Sequence, residues 1–390
     1  MKLKLNIILY ILILLPILQP DSYAISPFLS NLYSYGKLLS FGIVIILVIL
    51  NKKISKFTLF FIAFQTMFLI SSFINGGLSV VKLALLDFCC NTAIVLASDL
   101  FIKKDAKSFL KSACISYGII ILIMVFTMFK YYPQGMYTDI LWDHNYYFLG
   151  HDNGTFYLAF PIIIMINIYS LISYGKIKSW AFIFTLLVFA AYFYTWSVVS
   201  FIMIGIILIY LLTSNLKIWT KVLKLKYIIC FTILFFFGII IFKIQNYFSF
   251  IIVDILHKDL TFSGRTKIWD LAIEYIAQKP LLGYGFENIM IRINKFGISH
   301  IHNMILQLLY QVGIIGFTFF TTSIAQALKP VSNLKQNKLT NLILLSVIIF
   351  LISGIIDFYN SKYLFYLILV FCLNSKILNE MYCKTKKEVQ

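Results

Sequence analysis

Arginine is almost missing from this chain: of its 33 basic residues only Arg265 and Arg292 are arginines, and the rest are lysines. Charge as a whole is scarce. It makes up 12% of the 390 residues, with 15 acids, where soluble domains carry about 25%. That shortage, with 61% hydrophobic residues and a mean hydropathy of +0.91, excludes a soluble globular chain. No C-x-x-C pair occurs among Cys89, Cys90, Cys114, Cys230, Cys372 and Cys383, so no zinc-ligand spacing is written here. All but one fall in apolar runs, where cysteine acts as a small buried hydrophobe. The internal repeat that many transporters show is also missing.

What the sequence has in abundance is apolar runs of about 15–24 residues, the length that crosses a hydrocarbon core of about 30 Å. Lipid leaves the backbone no hydrogen-bonding partner, so such runs are helices. We expect an all-α integral membrane protein, a single polytopic domain over 1–390 with about twelve transmembrane helices. They lie near 5–19, 37–50, 57–74, 78–100, 109–129, 155–174, 179–195, 198–213, 227–242, 303–326, 340–357 and 363–379. The first run follows Lys2 and Lys4 and lacks a convincing cleavage site at Ser22-Tyr23-Ala24, so it reads as an anchor rather than a signal peptide.

The net charge of +18 would suggest nucleic acid in a soluble protein. Here the lysines cluster between alternate runs, at Lys52/Lys53/Lys56, Lys103/Lys104/Lys107, Lys176/Lys178, Lys217/Lys221/Lys224/Lys226, Lys329/Lys335/Lys338 and Lys384/Lys386/Lys387. That is the positive-inside pattern, which places both termini in the cytoplasm and removes the case for nucleic acid. Two connections on the opposite side are long. One, 130–154, carries His151, Asp152 and Asn153 beside Trp142, Asp143 and His144. The other, 243–302, holds both arginines, and the five histidines all fall in one or other of these two loops. Long loops in compact proteins are functional or disordered, and the second is too apolar and aromatic for disorder.

Within 243–302 an amphipathic helix is expected over Thr266–Gln278. Lys267, Asp270, Glu274 and Gln278 form its polar stripe, Ser263 or Thr261 caps its start, and Pro280, Gly283 and Gly285 stop it. Arg265 opens this helix, where first-turn N–H groups and a guanidinium together suit an anion. Arg292 follows, in an Ile-Arg-Ile-Asn-Lys run that could equally contact lipid phosphates. Gly283-x-Gly285 lacks the third glycine and the strand–helix setting of a dinucleotide site, and reads as a tight turn for close backbone approach. His302 stands at the mouth of the next helix, suited to act as a general base. The His300-Ile301-His302 spacing offers no metal site, since residues two apart on a strand face opposite ways and no third ligand is evident. Lys82 and Asp87 lie within the fourth run as further charged candidates.

Beyond the histidine, His302-Asn303, nine residues and then Gly313-Ile314-Ile315-Gly316 resemble the signature of the O-antigen ligase and polysaccharide polymerase family of bacterial membrane glycosyltransferases. Ser263-Gly264-Arg265 with Trp269, and Pro280–Asn288 with its Glu287, resemble the same family's large-loop pattern; His151-Asp152-Asn153 is similar to a short motif of many polymerases. The resemblance spans roughly 150–320. It implies a C-type glycosyltransferase bundle in the bacterial cytoplasmic membrane, with the active site under the large outward loop and no cofactor. The implied donor is a glycan on undecaprenyl pyrophosphate, with the pyrophosphate held by Arg265 and Arg292 and the acceptor hydroxyl activated by His302. Asn303, His300, Trp269, Glu287, Gly283, Gly285, His151 and Asn153 would line the substrate. The family's additional arginines have no counterpart here, which shifts weight to Arg292 or to Lys258 and Lys267. A chain-length regulator and a flippase are implied partners. Polymerase and ligase share the motif. A flippase suits twelve helices, yet the polar residues gather in an outward loop and not at the bilayer midplane.

Overall fold

The computed structural model describes all residues except 1, 53, 139–144, 245–246, 248–249, 251–252, 254–264, 358–362 and 390. The candidate residues Trp142, Asp143, His144, Lys258, Thr261, Ser263 and Gly264 lie outside the described residues. Among the described residues fourteen helices run α1 Lys2–Leu14, α2 Pro27–Asn51, α3 Lys56–Tyr131, α4 Asp152–Tyr174, α5 Ser179–Tyr194, α6 Val198–Thr213, α7 Ile218–Val222, α8 Leu225–Ile240, α9 Arg265–Gln278, α10 Ile289–Phe296, α11 Met304–Ser332, α12 Lys338–Ile356, α13 Leu367–Leu373 and α14 Ser375–Val389. Strands β1 Tyr137–Thr138, β2 Asn145–Tyr147 and β3 Gly150–His151 form a small antiparallel sheet in the 130–154 connection.

The fold is an all-α membrane bundle. Every expected apolar run lies on a helix. Among the described residues six helices are long and apolar enough to cross a membrane, or up to seven if the bent pair from Tyr363 to Glu388 is one span. Helix α3 carries three of the expected runs and is kinked by non-helical backbone at Gly77 and Asp105. Four other helices, among them α5, α6 and α8, have at most 17 residues.

Helix α4 is the centre of the bundle, with nearly all of its residues from Gly154 to Ile172 buried. A main apolar core joins α1 to α6 with α11, α12 and α13. A second, smaller core holds the long connection together: Ile268, Trp269 and Ala272 of α9, Tyr284, Phe296 of α10, Ile301, and Leu306 and Tyr310 of α11 pack against Ile239 and Ile240 of α8. From Arg265 onward the connection is therefore ordered by its own hydrophobic burial, and the apolar stripe of α9 faces the mouth of the bundle. Helix α10 was not anticipated, although Asn288 caps it by accepting from the Met290 amide and Gly297 ends it in the left-handed region.

The turn after α9 is locked by backbone approach. Helix α11 breaks at Gly313 (φ 59°), and into that break the turn docks: Ile314 N–H donates to Pro280 O (2.8 Å) and Tyr284 N–H to Tyr310 O (2.8 Å). On its other side Ser71 Oγ donates to Leu282 O (2.6 Å) and Phe286 N–H to Ser72 Oγ (2.8 Å). A methyl group on Gly285 would sit 2.3 Å from Ser72 N and one on Gly313 would sit 2.2 Å from Leu281 O. Gly285→Ala and Gly313→Ala should each cost more than about 2 kcal/mol, whereas Gly297→Ala, with the same positive φ but open space, should cost about 1 kcal/mol. Thermal unfolding of the purified variants in detergent checks that order.

Candidate active site

Helix α12 ends at the same place as α11 begins, and its last turn leaves carbonyls that need donors. Asn303 Nδ2 donates to Ile355 O (2.8 Å), Arg265 Nη1 to Ile356 O (2.7 Å), and Tyr157 OH to Ser353 O (3.1 Å) and Asp357 O (2.9 Å). Side chains from α4, α9 and α11 thus converge on one helix C-terminus. A guanidinium there also suits the negative end of the helix dipole.

The residue that closes α12 is Asp357, whose carboxylate is the hub of the site. Its side chain is only 7% exposed, yet it meets His302 Nδ1 at 3.0 Å, His300 Nε2 at 3.5 Å and Arg265 Nη2 at 3.7 Å. Burial by itself would push this carboxyl up. The neighbouring His302 and Arg265, with the hydrogen bonds from both imidazoles, outweigh it and hold the group well below the usual carboxylate range. His302 moves the other way: burial drives it down to about 4, opposed by Asp357 and helped by His300 and Arg265. We read the pair as an ionised carboxylate and a neutral imidazole. Nδ1–H then donates to Asp357, and the lone pair stays on Nε2.

His302 adopts φ +55°, a left-handed conformation that costs a non-glycine residue about 1 kcal/mol or more. Its neighbours impose it. Trp269 Nε1–H donates to Ile301 O (3.0 Å), Ile301 N–H donates to Gln307 Oε1 (2.9 Å), and Asn303 Oδ1 accepts from Leu306 N–H (3.0 Å) as the cap of α11. The twist has a consequence that regular strand alternation forbids. His300 and His302 lie on one side, with ring centroids 3.8 Å apart. The expectation of opposed histidines without a third ligand is corrected on both counts: donor atoms of His300, His302 and Asp357 all fall within 4.8 Å of one another, compact enough for a metal ion. Arg265 already brings a fixed positive charge to the same carboxylate.

The remaining expected site residues separate by role. Asn303 is fully buried, with its side chain spent on the α11 cap and on α12. Trp269 is buried as a clamp on Ile301. Gly283 and Gly285 approach the protein's own backbone. Glu287 accepts from Lys295 Nζ (2.6 Å) and from Tyr310 OH, so it braces α10 against α11. Arg292, on α10, stacks over Phe286 (5.5 Å) and lies within electrostatic range of Glu287, Tyr310 and Asp87; its Nε is buried with no acceptor among the described residues. Arg265 and His302 therefore share Asp357, while Arg292 belongs to a neighbouring cluster. His151 and Asn153 sit at the start of α4, where His151 pairs with Asp152 (3.2 Å) and Asn153 Oδ1 accepts from Ser197 Oγ (2.7 Å).

Asp357 escaped the sequence reading because it closes an apolar run and was counted as part of a span. A carboxylate at the end of such a run is itself the missed signal. Residues 154–321, which include Arg265, Arg292 and His302, match a family model described as O-antigen ligase. No curated protein and no solved structure matches the chain.

Histidine NMR checks the protonation scheme. The His302 imidazole should titrate well below 6.5, near 4. Asp357→Asn, by removing a negative neighbour that favours the imidazolium, should lower the midpoint further. A wild-type midpoint at or above 6.5 would contradict the assignment.

Proposed function

We propose, proceeding from residues 154–321 as a domain of the O-antigen ligase family, that this membrane protein is a glycosyltransferase polymerising lipid-linked oligosaccharide repeat units. The donor is a glycan on undecaprenyl pyrophosphate and the acceptor is a sugar hydroxyl on a second lipid-linked unit. The site faces outward from the cytoplasmic membrane, under the 243–302 connection, with both termini cytoplasmic. Capsule, O-antigen or exopolysaccharide would be the product, with a flippase supplying repeat units and a regulator setting chain length.

One observation carries this reading: an imidazole hydrogen-bonded to a buried carboxylate, with a guanidinium at the same carboxylate. In the transfer, the acceptor oxygen attacks the anomeric carbon and its proton passes to Nε2 of His302. The bond from that carbon to the diphosphate oxygen breaks, and the departing diphosphate carries off the electron pair. Its developing negative charge needs fixed cations, and Arg265 presents donors beyond those spent on Ile356 O and Asp357. Arg292 supplies the second, its buried Nε–H lacking an acceptor among the described residues. The acceptor distinguishes polymerase from ligase, because a ligase would use the same donor half and hand finished chains to a lipid core or a protein. The 243–302 connection, long among this protein's loops but short for the family's large loop, and the lysine-heavy, arginine-poor composition favour polymerase.

Arg265→Ala and His302→Ala should each abolish polymer, with transfer rates down about 10²–10⁴-fold and the protein still in the membrane. Polymer of full length from both variants would refute the assignment. Purified protein given only lipid-linked repeats should build a ladder. Product that forms only when a core-lipid acceptor is added would mean a ligase, and flipping without bond formation a transporter. Transfer should survive chelation; loss restored by a divalent cation would instead make His300, His302 and Asp357 a metal site.

A further inference from the structure

The lysine-rich end of the bundle holds a cavity of about 290 Å³, apart from the Asp357 cluster. Three stretches of chain meet around it. They are the end of α2 at Val48 and Asn51, the entry to α3 at Ile54 and Thr58, and Leu96 to Lys104, just before the α3 kink at Asp105. Val48, Leu96 and Leu100 make part of the lining apolar, while Asn51, Lys103 and Lys104 add an amide and two ammonium groups.

Asp99, also in the lining, is an anchor. Its side chain is 9% exposed; Oδ2 accepts from Lys103 Nζ (2.6 Å) and Oδ1 from Asn374 Nδ2 (2.8 Å), at the break between α13 and α14. Both carboxylate oxygens are thus engaged, and Lys103 is held at the cavity with two of its three N–H donors left over. The lining carries two positive charges against one negative. The positive-inside pattern accounts for lysines at this end. It does not account for a buried aspartate that fixes one of them beside a partly apolar hollow.

Outside the cavity the helices present an apolar wall. Ile46 and Leu50 of α2 and Leu59 of α3 are each more than half exposed, within stretches apolar enough to cross the membrane. A soluble phosphate would use the lysines and leave that wall idle, whereas a phospholipid uses both.

We propose that this cavity seats the headgroup phosphate of an anionic phospholipid of the cytoplasmic leaflet, held by Lys103 and Lys104, with its acyl chains along Ile46, Leu50 and Leu59. The bound lipid ties the end of α2 to two stretches of α3. The seat is independent of the donor reading, because none of its residues belongs to the Asp357 cluster.

Photocrosslinking of full-length protein in detergent with phosphatidylglycerol that carries a diazirine in its headgroup tests it. Mapped by mass spectrometry, the label should fall within 48–58 or 96–104. Lys104→Gln should lower labelling there about fivefold. Lys103→Gln alone would strand Asp99, so the double variant Lys103→Gln/Asp99→Asn is used, and it should lower labelling about threefold or more. Wild-type labelling of either folded variant would overturn the assignment. A phosphatidylcholine probe of the same design should label these segments far less, and equal labelling would reduce the seat to ordinary lipid contact and overturn it. Excess glycerol 3-phosphate should leave labelling unchanged; competition by it would assign the cavity to a soluble phosphate and overturn the lipid.

Discussion

The site depends on one buried carboxylate. Taking Asp357 out of water costs several kcal/mol unless charge and hydrogen bonds compensate, and the compensation comes from three separate parts of the chain. Arg265 arrives from the start of α9, and His300 and His302 from the approach to α11; Tyr157 of α4 binds the Asp357 carbonyl. The requirement that these groups meet fixes where α4, α9, α11 and α12 come together. The same requirement sets the chemistry. With the carboxylate ionised and the imidazole neutral, the proton on His302 is confined to Nδ1 and its basic nitrogen faces away from the protein's own acid.

The residues around His302 divide by what their side chains hold. Asn303 caps α11 and ties it to α12, which brings Asp357 to the imidazole. Gly313 opens α11 so that the turn at Pro280–Gly285 can dock into it, and that turn also grips α3 at Ser71 and Ser72. The long connection is thereby anchored on both flanks, and α9 and α10 are held at the mouth with their arginines in place. The positive φ of His302 is strain that this scaffold imposes, and it brings two histidines to one side of a chain that would otherwise splay them.

Much of this was legible in the residues. The apolar runs fall on helices, the amphipathic stretch from Thr266 is α9 with the expected apolar face inward, and the Gly283-x-Gly285 turn makes the close backbone approach its glycines suggested. How the runs join was not legible, because composition shows neither that three of them share one kinked helix nor that several helices are short. Asp357 was hidden for another reason. Its partners lie 55 residues away at His302 and 92 at Arg265, and nothing local marks a terminal aspartate as buried. It also lies beyond the segment that the family model matches.

The account stands or falls on the Asp357 carboxylate as the group that orients and polarises His302. The direct measurement is the single-turnover rate of glycan transfer by purified Asp357→Asn protein, which keeps the side chain's shape and removes its charge. The rate should fall about 10²–10⁴-fold while donor binding stays near the wild-type value, because the amide no longer selects the imidazole tautomer. Transfer at the wild-type rate would contradict it.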